Sequence, residues 1–313
     1  MSLINSLRRS ILWLLLIAIL GLLSLSLYYL IPVLPNPESD YLPRKGNLID
    51  AKVTRSWRAY SNEFQEISLT SDSGLKVDIS IRRPGNSPRP VVFILGGYGT
   101  GRTAIELIHS EQNMVVVSLS YPYEGTRDVS GLGLLKNIPH IQQSELDVTP
   151  AILLTLDYLL QQDYVDKNQV ELVGVSLGAF YIAPAAVLDK RVSRVWFVQG
   201  AGDPERFFAY VLKKNFESEW VRKRLATLIA LIGNVHHLAP EHWIKRISPR
   251  PVIVINSRGD PTFPIESVLA LHNSLGDPNE IIWLDGGHVK PSEAGIIKQL
   301  TDIVLERIEK GIN

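Results

Sequence analysis

The chain has 313 residues, 45% of them hydrophobic, which is enough to bury the core of one large domain. Lysine plus arginine and aspartate plus glutamate number 32 each, so the formal net charge is zero and no global field recruits nucleic acid or an anionic partner. With no cysteine, disulfides, thiolate metal sites and cysteine nucleophiles are excluded.

In chain order, the run Ile11 to Ile31 is apolar apart from Ser24 and Ser26, and Tyr28 and Tyr29 sit where interfacial aromatics would lie. Arg8 and Arg9 precede it, and positive charge stays on the cytoplasmic side of a bilayer. Residues 1–31 therefore read as a single transmembrane anchor that leaves the remaining chain on the non-cytoplasmic side, with a cleaved signal peptide as the alternative. No small-x-small cleavage site follows Leu30. Residues 32–60, with Pro32, Pro35, Pro37 and Pro43 among Asn36, Ser39 and Asp40, read as an extended linker.

Residues 61–313 change character. Glu66 to Thr70 and Val77 to Ile81 flank the turn Ser71-Asp72-Ser73-Gly74 and predict an antiparallel hairpin. Continuous apolar runs follow at Val91 to Leu95, Met114 to Leu119, Val170 to Val175, Val195 to Val198, Val252 to Ile255 and Ile281 to Leu284, as expected of parallel strands buried on both faces. Helical periodicity lies between them, most clearly at Ile152 to Leu160, Ala179 to Leu188 and Glu293 to Ile308. The fold class is α/β, a mostly parallel sheet with helices on both faces. Residues 203–248 break the alternation as a helical insertion, rich in aromatics such as Phe207, Tyr210, Trp220 and Trp243. Its expected place is a cap over the strand ends.

Gly174-Val175-Ser176-Leu177-Gly178 stands directly after one apolar run and directly before a helical one. A tight strand-to-helix turn lifts a serine hydroxyl clear of the sheet, and glycines on either side remove side chains that would collide there. The N–H of Leu177 would then point from the helix N-terminus toward developing negative charge. Two later strand ends carry complementary groups. Asp260 lies in Ser257-Arg258-Gly259-Asp260-Pro261, and His288 in Asp285-Gly286-Gly287-His288. Asp203 is an alternative acid, and His236, His237 and His242 lie in the insertion, where they could face a substrate or solvent.

From Val91 onward these motifs resemble the α/β-hydrolase superfamily, in the manner of a serine esterase or lipase, or of a dienelactone hydrolase. The resemblance implies the chain order nucleophile, acid, histidine, hence Ser176, Asp260 and His288. It also implies a second oxyanion donor in Gly96-Gly97-Tyr98-Gly99, where Tyr98, or else Gly97, joins Leu177; the histidine usual at the position of Gly96 is missing. The expected activity is hydrolysis of a small-molecule carboxylic ester, or a thioester or amide, through an acyl-enzyme on Ser176, with no cofactor and no metal. An acyltransferase of the same fold and an inactive membrane-tethered binding protein are the alternatives. The pocket is expected from Tyr121-Pro122-Tyr123-Glu124-Gly125 together with the insertion.

Overall fold

The apolar runs become strands of one nine-stranded sheet. The computed structural model describes residues 2–30, 37–97, 99–108, 113–126 and 131–310. In chain order the elements are α1 (Ser2–Leu30), α2 (Pro37–Lys45), β1 (Leu48–Ala59), β2 (Asn62–Ser71), β3 (Lys76–Arg83), β4 (Arg89–Leu95), a 3-10 helix (Gly101–Glu106), β5 (Val115–Leu119), α3 (Gly131–Leu159), β6 (Val165–Val175) and α4 (Gly178–Leu188). Then come β7 (Arg194–Val198), α5 (Pro204–Val211), α6 (Glu219–Ile232), β8 (Val252–Ser257), α7 (Ile265–His272), β9 (Asn279–Leu284) and α8 (Ala294–Glu309).

The strand order is β1-β2-β3-β5-β4-β6-β7-β8-β9. β1 to β3 form antiparallel pairs, β3 joins β5 antiparallel, and every pairing from β5 to β9 is parallel. The strands of the parallel part are apolar on both sides because helices cover both sides. On one face Phe93, Leu95, Leu172 and Phe197 pack with Val148, Ile152 and Leu156 of α3 and with Ile182 and Ala186 of α4. On the other, Val92, Ile94, Val173 and Trp196 pack with Ala104 and Ile105 of the 3-10 helix and with Leu300, Val304 and Leu305 of α8. Parallel strands present their C-terminal ends along one edge, so the loops after β4, β6, β7, β8 and β9 share that edge.

Two expectations are corrected. Residues 37–59 are not a linker but α2 and β1. Pro37 takes the first position of α2, where a missing N–H costs nothing, and Tyr41 is fully buried in the core. Arg44 pairs with Asp147 of α3 at 2.9 Å, and Lys45 pairs with Asp157. β1 shows no alternating apolar pattern because most of its side chains are exposed; it is held by its ladder with β2. Pro32, Pro35 and Asn36 lie outside the described residues. The second correction concerns the membrane. No helix among the described residues is long and apolar enough to cross one, so the anchored, single-pass, non-cytoplasmic placement is overturned.

Candidate active site

The turn between β6 and α4 presents Ser176 with φ 54°, a left-handed conformation uncommon outside glycine. Strain of this kind costs about 1–2 kcal/mol and persists only where neighbours enforce it. Here the Ser176 N–H donates to the Val198 carbonyl at 2.9 Å, and the Ser176 carbonyl accepts from Ala179 N at 3.1 Å. The flanking glycines follow from close approach: a Cβ on Gly178 would lie 2.0 Å from the Leu95 carbonyl oxygen, and one on Gly174 would lie 2.8 Å from Ala179 Cα. The backbone of β4 thus passes directly beneath the serine turn.

The loops after β8 and β9 bring the other two groups to the same point. His288 Nε2 lies 2.8 Å from Ser176 Oγ, and His288 Nδ1 lies 2.6 Å from Asp260 Oδ2. The Asp260 side chain is only 5% exposed, so its charge has to be met by donors. It is met by the imidazole and by the Thr262 N–H, which donates to Oδ1 at 2.7 Å. Phe263 sets its ring edge-on to His288 at 5.6 Å, and Phe207 of α5 packs on Phe263 at 5.1 Å. The structure therefore brings Ser176, Asp260 and His288 together from three separate turns.

Gln199, which the sequence reading passed over, holds the histidine loop. Fully buried after β7, it donates from Nε2 to Ser257 Oγ at 2.6 Å and to the Gly287 carbonyl at 3.2 Å, while its Oε1 accepts from the Val289 N–H. One amide thus ties the loop after β9 to the end of β8 on both sides of His288. A polar residue ending the apolar run Val195 to Val198 was the available signal.

Of the expected oxyanion donors, Leu177 stands at the N-cap of α4 and Tyr98 lies outside the described residues. Gly97 abuts the serine: a Cβ there would lie 3.4 Å from Ser176 Cβ. Its carbonyl accepts from Thr100 Oγ1 at 2.7 Å, and the Gly96 carbonyl accepts from the Tyr121 hydroxyl at 2.5 Å. Below Tyr121, Tyr181 donates to Glu145 at 2.7 Å, and burial raises the Glu145 carboxyl to about 7. This tyrosine-glutamate stack under the glycine loop was not foreseen.

The rival residues have other work. Asp203 caps α5, accepting from Arg206 N at 3.0 Å and from Arg206 Nε at 2.9 Å. His236 lies 3.6 Å from Glu205, and burial lowers His237 to about 4, which keeps it neutral. Among the described residues no three His, Cys, Asp or Glu side chains converge as a metal site.

The cavity at the serine also differs from expectation. It has a volume of about 320 Å³ and is lined by Ser176, His288 and Gly97, by Val92, Ile94 and Val173 of the sheet, and by Ala104, Leu300 and Val304 opposite. Neither Tyr121–Gly125 nor the insertion lines it; Tyr121 and Tyr123 border a separate hollow with Arg44 and Asp147. The insertion reaches the site indirectly, through Phe207 and through Tyr210, whose hydroxyl donates to the Pro261 carbonyl at 3.2 Å.

No family model matches the sequence, and no curated protein is similar enough in sequence to count as a relative. Solved structures are similar in shape. Acetyl xylan esterase 1 from Thermoanaerobacterium sp. is 17% identical with a TM-score of 0.64, over 87% of this chain and 95% of that one. An acetyl xylan esterase from Paenibacillus sp. R4 is 17% identical with a TM-score of 0.61, over 89% and 93%. An α/β hydrolase from Penicillium sp. is 15% identical with a TM-score of 0.55, over 80% and 99%. Strand order, helices on both faces and these likenesses agree on the architecture: the chain has the fold of the α/β-hydrolase superfamily.

Proposed function

We propose that this protein is a serine hydrolase that cleaves a carboxylic ester through an acyl-enzyme on Ser176. The observation that carries the reading is the unbroken chain from Ser176 Oγ to His288 Nε2 at 2.8 Å and from His288 Nδ1 to Asp260 at 2.6 Å. A serine hydroxyl becomes a competent nucleophile only when a base takes its proton during attack, and the neutral imidazole is placed to do so. Asp260 holds the tautomer that leaves Nε2 free and stabilises the imidazolium that forms. The new C–O bond places negative charge on the former carbonyl oxygen, where the N–H of Leu177 and one from the Gly97–Tyr98 segment stabilise it.

His288 then returns the proton to the departing alkoxide, the C–O bond to the alcohol breaks, and water attacks the acyl-serine by the same route. Gln199 fixes the imidazole against rotation away from the serine. Burial of the Asp260 side chain, only 5% exposed, keeps competing water from its carboxylate. Two of the similar structures are acetyl xylan esterases, which fits ester chemistry.

The test is hydrolysis of p-nitrophenyl esters by the full-length wild type and by Ser176→Ala. Turnover in the wild type and its loss in the variant are expected. Equal turnover by both proteins, or none by a folded wild type, removes the proposal.

A further inference from the structure

The covering of the sheet is uneven on the α8 side. α8 spans 16 residues, whereas the described residues of the crossover from β4 to β5 contribute the six-residue 3-10 helix Gly101–Glu106. At about 2 Å per residue that helix runs roughly 12 Å, half the reach of α8. Two covering elements of unequal length leave a trough between them, and the 320 Å³ cavity occupies it. At one end stand Ser176, His288 and Gly97. Val92, at the middle of β4, and Leu305, on the last turns of α8, mark the other.

From the proposed reading of Ser176, which this inference deepens, we infer that the substrate's acyl group is an unbranched aliphatic chain of about ten carbons that runs from the serine into this trough between the sheet and α8. Three observations carry it. Strand and helix rises put the trough roughly 12–16 Å deep between the levels of Gly97 and Val92, or of Ile297 and Leu305. A volume of 320 Å³ spread over that depth leaves the width of a single chain. An extended alkyl chain advances roughly 1.3 Å per carbon, from C–C bonds of about 1.5 Å at tetrahedral angles, so that depth accommodates on the order of ten carbons.

The lining supplies the chemistry. Val92, Ile94, Val173, Val304 and Leu305 offer apolar contact, and among the described residues that line the trough none is acidic. An alkyl chain gains there, whereas a sugar or a peptide would find few partners for its polar groups, since away from Ser176 and His288 the polar side chains of the lining are Thr100, Thr301 and Lys290. The acyl side of the ester, rather than the alcohol, is the part that fits. The alcohol leaves after the first half-reaction and must reach solvent, whereas the acyl group stays bound to Ser176 through both.

The experiment uses the full-length protein and two ester series. One varies the acyl chain from acetyl to hexadecanoyl on a fixed p-nitrophenol, and the other varies the alcohol on a fixed acetyl group. In the first, kcat/KM rises by up to about fourfold per methylene, peaks near decanoyl and falls beyond it. In the second, it varies little.

Ala104→Phe and Thr301→Trp, tested separately, place a ring in the trough from opposite walls. Each shifts the optimum toward acetyl while leaving intact the labelling of Ser176 by a small ethyl fluorophosphonate, which also reports a folded site. An acetyl optimum in the wild type, or a decanoyl optimum that survives both labelled variants, overturns the inference while leaving the hydrolase reading standing. Absence of hydrolysis across both series together with absence of labelling removes that reading itself.

Discussion

Glu145 links fold and pH in a way that can be measured without any substrate. Its carboxyl is buried in α3 beneath the glycine loop; burial raises it to about 7, and the hydrogen bond from Tyr181 offsets only part of that rise. The unfolded chain carries an ordinary glutamate at 4.5. A carboxyl raised on folding contributes stability that is complete below the unfolded value and is lost as pH climbs through the folded one, because the native state holds its proton longer. Moving the carboxyl from 4.5 to about 7 is worth about 3.4 kcal/mol in all, and of this about 2–3 kcal/mol is withdrawn between pH 5 and pH 8.

Glu145→Gln keeps the shape and an acceptor for Tyr181 but cannot ionise. Urea unfolding of both full-length proteins, followed by near-ultraviolet circular dichroism at each half unit of pH, gives the difference in stability directly. His237, buried neutral at about 4, changes stability in the opposite sense as pH falls, but it is present in both proteins and cancels in the difference. The variant is expected to gain about 2–3 kcal/mol on the wild type on going from pH 5 to pH 8. Parallel stability curves would show that Glu145 is ionised in the native protein throughout and that its burial is relieved by some other group.

Asp260→Asn keeps the packing but supplies an amide where the Nδ1 hydrogen needs an acceptor, so kcat for ester hydrolysis is expected to fall on the order of 10⁴-fold with KM little changed, as steady-state kinetics would record. Gly178→Ala drives a Cβ to 2.0 Å from the Leu95 carbonyl oxygen, and the melting temperature should report a loss of about 3 kcal/mol. Gln199→Leu leaves the Gly287 carbonyl and the Val289 N–H without their partner; a loss of about 2–4 kcal/mol and a fall in kcat are expected, whereas Gln199→Glu should restore the bond from Val289 but not the one to Gly287.

The parallel sheet was legible because burial on both faces writes each strand as an unbroken apolar run, and the β6 to α4 turn was legible because its close approach to β4 admits only glycine on either side. The elements that escaped are those whose stability is not written as local apolar pattern. β1 is exposed and held by its ladder, and α2 is held by Tyr41 and by ion pairs to α3, residues that lie some hundred positions away. Gln199 acts through two chain segments that only the closed fold brings beside it. The trough escaped for a different reason. It arises from the mismatch in length between the 3-10 helix Gly101–Glu106 and a long terminal helix, and no single segment records a mismatch. The apolar stretch of α1 was read by composition, and no helix among the described residues is long and apolar enough to cross a membrane.

The most direct measurement is capture of the covalent intermediate. Full-length protein mixed with p-nitrophenyl decanoate, quenched in acid within milliseconds and digested, should yield the peptide bearing Ser176 heavier by one decanoyl group, and His288→Ala should yield none. Product released with no acyl group on that serine, or the group found on another residue, would contradict the account.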